Sequence, residues 1–187
     1  MVDLAKLLAP MEDRGWDGGH IRLEPLGPGH KEGLRACCDP ADPVWEIYPV
    51  NYSGEGFDLA FDLLPGHAQR NFFAILQDGV VRGITSFMNI VPEKQSLEIG
   101  GTFMAPAARG TGLNSRVKPM LLDRAFACGI RRVQFLIDER NARSRAAVAK
   151  LGAVKEGVLR AERVTWTGHV RDTGVFSILA EEWRARG

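Results

Sequence analysis

Along the chain, apolar positions alternate with polar ones in some stretches and recur every three to four residues in others, and these periods predict the elements. From His20, the residues Ile21, Leu23 and Leu26 alternate with polar neighbours as on a strand, and Gly27-Pro28 ends the run. A helix is expected through Leu34 and Ala36, and a second over residues 55 to 64. Between them, residues 39 to 53 combine three prolines with Trp45, Ile47 and Tyr48, which predicts an irregular, partly apolar loop. Phe72 to Leu76, Asp78-Gly79 and Val80 to Ile90 predict a hairpin, because Asp-Gly tolerates the positive φ angles of a tight turn. Pro92 breaks that strand. Ser96 to Met104 forms the next, and Pro106 ends it.

The helix that follows has the clearest pattern. Leu113, Val117, Met120, Leu121, Ala125 and Cys128 line one face, and Gly129 stands where a left-handed cap belongs. Pro119 lies inside this pattern and predicts a kink or a late start. Arg132 to Ile137 reads as a short strand. Asn141 then caps a helix that ends at Leu151, with Gly152 as its stop. Val154 to Trp166 and Val170 to Leu179 close the chain as two strands around Thr167-Gly168. The order β, α, α, β, β, β, α, β, α, β, β predicts an α/β architecture, a mixed sheet flanked by helices. With no internal repeat or low-complexity linker, residues 20–187 are expected to form a single domain, and residues 1–19 a loosely held N-terminal arm.

The 187 residues carry 24 basic and 23 acidic side chains, a formal net charge of +1. That balance gives no electrostatic reason to expect a nucleic acid. The three cysteines, Cys37, Cys38 and Cys128, are odd in number and two are adjacent, so no disulfide framework is expected and a reducing, cytoplasmic setting is favoured. Leu4, Leu7 and Leu8 are followed too soon by Glu12, Asp13 and Arg14 for a signal-peptide core, and no apolar stretch is long enough to span a membrane.

The segment that carries chemistry is Arg109-Gly110-Thr111-Gly112-Leu113-Asn114, between a strand end and a helix start. Small residues let the backbone approach an anion, and the free amides of a helix N-terminus supply donors, so the segment suits a pyrophosphate. Two other readings stand beside this one: a merely flexible connection, and a dinucleotide fingerprint, since Gly110-x-Gly112-x-x-Ser115 lacks only the third glycine and Asp138 ends the following strand.

Arg109-x-x-Gly112 resembles the pyrophosphate motif of the GCN5-related N-acetyltransferase (GNAT) superfamily, with Asn114 in place of the motif's last small residue. Asn141-x-x-Ser144 followed by Lys150-Leu151-Gly152 resembles its second conserved block. The stretch from Arg109 to Leu179, with Gly157-Val158-Leu159-Arg160 and Arg171-Asp172, looks like the branch typified by the N-terminal acetyltransferases RimJ and RimL. Many members place a tyrosine seven residues after the helix-opening Asn, where Val148 stands here; RimL-like members use a serine at the position of Ser144.

The resemblance implies a mixed, largely antiparallel sheet flanked by helices, acetyl-CoA as co-substrate without a metal, and transfer of an acetyl group to an amine in a ternary complex. Its acceptor would be a protein N-terminus or a small amine such as an antibiotic or a polyamine. The cofactor site would comprise Phe103, Met104, Arg109, Gly110, Thr111, Gly112, Leu113, Asn114, Asn141 and Ser144. Glu98, in a largely apolar strand, is the candidate base, and a solvent-facing glutamate is its bland alternative. Ser144 is the candidate acid toward the thiolate, or else a helix cap. Trp45 and Tyr48 are candidates for the acceptor pocket, or else packing residues. Cys128 reads as core; His20, His30, His67 and His169 have no metal-site spacing. Arg131, Arg132, Arg140, Arg143 and Arg145 read as a solvated basic face, or as contacts to the 3′-phosphate of CoA. A homodimer is compatible with the sequence, as is a non-catalytic acyl-CoA-binding module of the same fold.

Overall fold

The computed structural model describes residues 1–186. One eight-stranded sheet runs through the molecule in the order β1-β2-β3-β4-β5-β6-β8-β7. The strands are β1 (Met11–Asp13), β2 (Ile21–Pro25), β3 (Arg70–Gln77), β4 (Val80–Val91), β5 (Ser96–Met104), β6 (Arg132–Asp138), β7 (Val154–Val164) and β8 (Val170–Leu179). Helices α1 (Leu4–Leu7), α2 (Lys31–Cys37), α3 (Phe57–Asp62), α4 (Leu113–Ala127), α5 (Ala142–Lys150) and α6 (Ala180–Arg184) complete it. Each neighbouring strand pair is antiparallel except β5 and β6, which are parallel. A single antiparallel-rich sheet is incompatible with the repeated parallel units of a dinucleotide fold, so that reading is set aside.

The strongest local signals produce the expected elements. Asp78 and Gly79 take φ values of 51° and 79°, the left-handed pair that a two-residue hairpin turn requires. Leu113, Val117, Leu121, Leu122 and Ala125 of α4 are fully buried beside Ile99, Phe103, Val133 and Phe135 in the common core. Pro119 does not delay the helix, which begins at Leu113 and runs on through it. The proline deprives the Ser115 carbonyl of its donor, and Ser115 is exposed, so water can replace that bond.

The N-terminal arm is docked rather than loosely held. Leu7 is completely buried, β1 pairs with β2, and Arg124 of α4 donates to the carbonyls of Lys6, Ala9 and Pro10. The apolar fragment around Leu4 and Leu7 is a short helix capped by Asp3. Among the described residues, no helix is long and apolar enough to cross a membrane.

Candidate active site

Two features of β5 organise the site. Strands β5 and β6 pair over only three positions, Ser96–Arg132, Leu97–Val133 and Glu98–Gln134, and beyond Glu98 they part. The remaining residues of β5, Ile99 to Met104, therefore present an unpaired edge toward β6. On its other side, β5 bulges against β4: Ile84 opposes Phe103 and Ser86 opposes Gly100, so that the single residue Thr85 faces both Gly101 and Thr102. Gly101 has φ of 56°, and a Cβ there would come within 2.9 Å of Ser86 Oγ and 3.1 Å of the Phe72 ring, so the bulge demands glycine.

Glu98 stands where the strands begin to part. Its residue is 4% exposed, which rules out the solvent-facing alternative. Asn89, itself at φ of 48°, donates from Nδ2 to Glu98 Oε2 at 3.0 Å. Burial pushes the Glu98 carboxyl above its ordinary range, opposed by the Asn89 hydrogen bond and the charges of Arg163, Arg70 and Arg171. A carboxylate with a raised pKa, held by one neutral donor, can accept a proton.

At the far end of β5 the loop Gly110–Gly112 is exposed and leads into the 15-residue helix α4. Gly110 and Gly112 take φ of 77° and 93°, and the helix has neither a side-chain cap nor an acidic residue in its first turn. The Leu113 amide donates to Thr111 Oγ1 at 3.4 Å and the Ser115 amide to the Gly112 carbonyl at 2.9 Å, which leaves the amides of Gly110, Thr111, Gly112 and Asn114 without an acceptor among the described residues, an arrangement that can accept a phosphate. Thr111 Oγ1 donates to the Ala108 carbonyl at 2.9 Å and stiffens the loop. Asn114 turns its side chain inward, where Oδ1 is buried without a partner. Met104 lies six positions along β5 from Glu98, roughly 20 Å at strand rise.

Arg109 is committed elsewhere than to a phosphate. Its guanidinium pairs with both carboxylate oxygens of Asp42, and Nε donates to the Met104 carbonyl at 2.9 Å. It thereby ties the loop of residues 39–53 to the Gly110–Gly112 loop. Phe103 and Met104 are core side chains, 1% and 9% exposed, so only their backbone is open to a ligand. Trp45 is a packing residue: its ring stacks on Phe103 with centroids 4.9 Å apart, and its Nε1 donates to the Asp39 carbonyl. Tyr48 differs. Its hydroxyl is buried with no hydrogen-bond partner, near Tyr52 and Arg70. Trp166, at the tip of the β7–β8 hairpin, donates from Nε1 to the Trp45 carbonyl at 2.8 Å and closes the same loop from the other side.

Asn141 is the cap of α5, accepting from the Ser144 amide at 2.9 Å, so Ser144 does not cap the helix. Ser144 sits one turn in, half-buried, beyond the end of β6. Val148 is 3% exposed and belongs to the core. The basic face is mixed: Arg132 pairs with Glu156 and Arg140 with Asp138, whereas Arg131 and Arg143 are exposed. Burial raises all three cysteine thiols, Cys38 to about 12, which keeps them unreactive.

Sequence reasoning missed Asp13 and Trp16, which flank the Gly110–Gly112 loop and the start of α4. Asp13 holds Arg116 in the first turn of α4 at 2.6 Å, and Trp16 lies beside Gly112. It also missed Lys118, which points from α4 to Thr102 in the bulge. An aromatic residue in a short polar arm carries no periodic signal.

Residues 20–154 match the model of the acetyltransferase (GNAT) domain. No curated protein matches the chain. Among solved structures, a protein from T. thermophilus assigned as an acetyltransferase is 37% identical, over 91% of each chain, with a TM-score of 0.80. A GCN5-related N-acetyltransferase from Brucella melitensis is 26% identical over 93% of this chain and 84% of its own, at a TM-score of 0.84. RimJ of Mycobacterium smegmatis, solved with CoA-disulfide, is 23% identical over 88% of this chain and 84% of its own, at 0.76, a likeness of fold. A family match over most of the chain, together with a sheet that parts beside a buried glutamate and an open helix N-terminus, makes this protein a member of the GNAT acetyltransferase family.

Proposed function

We propose that the protein transfers the acetyl group of acetyl-CoA to a primary amine by direct attack in a ternary complex. The observation that carries this reading is the position of Glu98, buried where β5 and β6 separate, a strand's length from the open amides of α4. In this reading the amides of Gly110 to Asn114 hold the pyrophosphate, and the pantetheine arm lies along the free edge of β5. A backbone amide of that edge donates to the carbonyl oxygen as negative charge develops on it. Glu98 accepts the amine proton, and Ser144, in the first turn of α5, donates to the leaving thiolate where the helix dipole already favours negative charge. Tyr48 and the β7–β8 hairpin line the acceptor side, and a cytoplasmic location suits the free, buried thiols.

Calorimetric titration with acetyl-CoA followed by measurement of thiol release across a panel of amines and N-terminal peptides tests this reading. Saturable binding with amine-dependent release is expected. Binding without release under every acceptor would favour a non-catalytic acyl-CoA-binding module, and absence of binding would remove the cofactor assignment itself.

A further inference from the structure

The bulge in β5 lies close to the candidate base. The Glu98 side chain leans along the strand, so that Oε1 is 3.0 Å from the place a Cβ on Gly100 would take, and Gly100 is the last residue before the bulge at Gly101 and Thr102. Two residues facing the single Thr85 cannot both pair with it, and β6 has already parted from β5 at this level. Backbone groups of the bulge are therefore left without strand partners. Side chains fasten the bulge at three points. Ser86 Oγ donates to the Gly100 carbonyl at 2.9 Å, and the Thr85 and Thr102 hydroxyls meet at 2.8 Å. The third fastening comes from outside the sheet, where Lys118 Nζ on α4 donates to Thr102 Oγ1 at 2.5 Å.

A lysine is an expensive residue for that place. Lys118 is 7% exposed, and among the described residues no carboxylate stands near enough to balance it. A methionine of similar length would fill the space without taking a cation out of water. Stability alone does not ask for a lysine here, so what it adds is the N–H donor. Ammonium and neutral amine both carry that donor, so either form holds the Thr102 oxygen and leaves the Thr102 proton for Thr85. Lys118 also stands five residues after Leu113, roughly 7.5 Å along the helix axis from the start of α4. The rigid element that opens at the Gly110–Gly112 loop is thus the one that fixes the bulge.

We propose that Lys118 is a positioning residue for the transfer: by holding Thr102 it aims a backbone amide of the bulge at the thioester carbonyl of acetyl-CoA, beside Glu98. The inference rests on the transferase reading above; it names the part of the β5 edge that meets the carbonyl and the side chain that sets it. No bond forms or breaks at Lys118. Negative charge develops on the carbonyl oxygen during attack, and a donor fixed in advance stabilises it more than one that must first move into place. Helix α4 then keeps the two ends of the cofactor in register, with its N-terminal amides at the pyrophosphate and Lys118 behind the carbonyl.

Acetyl-CoA labelled with carbon-13 at the thioester carbonyl reports this hydrogen bond by NMR without any acceptor. Its resonance is expected to move downfield on binding to the wild-type protein, and Lys118→Met and Thr102→Val are each expected to lose about half of that shift or more, with Kd little changed. In thiol release with an active amine, each variant is expected to lower kcat about tenfold or more with KM for acetyl-CoA little changed, and the double variant to fall no further than the weaker single one, because both act on one contact. Lys118→Met is expected to resist urea at least as well as wild type at pH of about 6, which separates lost aim from lost fold. Thr102→Val carries the test should Lys118→Met misfold. An unshifted carbonyl on wild-type protein, a full shift in both variants, or additive losses in the double variant would overturn the positioning role and leave the transferase standing. Failure of the wild-type protein to bind acetyl-CoA would remove both.

Discussion

The Lys118 ammonium lies 2.5 Å from the Thr102 hydroxyl, inside the protein and with no carboxylate among the described residues to balance it. Thr102 in turn meets the Thr85 hydroxyl at 2.8 Å, so a lysine on α4 is wedged beneath the β5 bulge. Burial brings its pKa down to about 7 from an ordinary value near 10.5. The unfolded chain therefore binds the proton more tightly across that window, and stability rises with pH from about 7 toward 10.5, the penalty being full below 7. Lys118→Met is expected to stabilise the protein by roughly 2–4 kcal/mol at pH 6, and by much less at pH 10. Urea unfolding at the two pH values measures the difference; an equal gain at both would contradict the neutral lysine.

Glu98→Gln keeps the shape of the side chain and its bond to Asn89 while removing the base. Its kcat is expected to fall about 100-fold, and the acidic limb of the pH profile, along which activity rises as Glu98 ionises, is expected to vanish. Retention of that limb in the variant would assign it to another group.

Because Asn141 caps α5 and Ser144 does not, the two residues separate stability from chemistry. Asn141→Ala is expected to cost about 1 kcal/mol in thermal or urea unfolding. Ser144→Ala is expected to leave the unfolding midpoint nearly unchanged and to lower kcat about tenfold, which stopped-flow thiol detection resolves.

Asp42 is held below its ordinary carboxylate range chiefly by its hydrogen bond from the Arg109 guanidinium. The stability it contributes is present above the unfolded pKa and is lost as pH falls through the folded one. Asp42→Asn is expected to destabilise by roughly 2 kcal/mol at neutral pH, because Arg109 loses its partner, and the gap from wild type should narrow as acid protonates the lowered Asp42 carboxyl. The KM for acetyl-CoA should rise as well, since Arg109 sets the start of the phosphate loop.

Most elements were legible from local chemistry. Asp78-Gly79 sets a hairpin turn, Gly152 stops α5 and the apolar stripe of α4 marks its buried face, each within a few residues of sequence. The apolar setting of Glu98 and the glycine loop that leads into α4 could be read for the same reason. What could not be read depends on partners far along the chain. Asp42 and Arg109 are 67 residues apart, and their pairing turns Arg109 from a phosphate ligand into a loop anchor. Arg70 and Arg171 share a face with Glu98 only through the registers of several strand pairs. Lys118 interrupts an apolar stripe and reads as a surface residue until the bulge beneath it is known. Trp16, in an arm too short for periodicity, reaches the phosphate loop only because β1 pairs with β2.

The parting of β5 and β6 has a structural price that other sheets meet only at their rims. It creates two extra strand edges in the middle of the sheet, each with backbone groups able to recruit a foreign strand. A visiting strand must align at both ends, and this cleft is closed at one end by three paired residues, so it accepts a slender chain laid in from the open end far more readily than a whole β-strand. The same geometry that leaves room for a slender extended chain thus protects the interior of the sheet from templated aggregation.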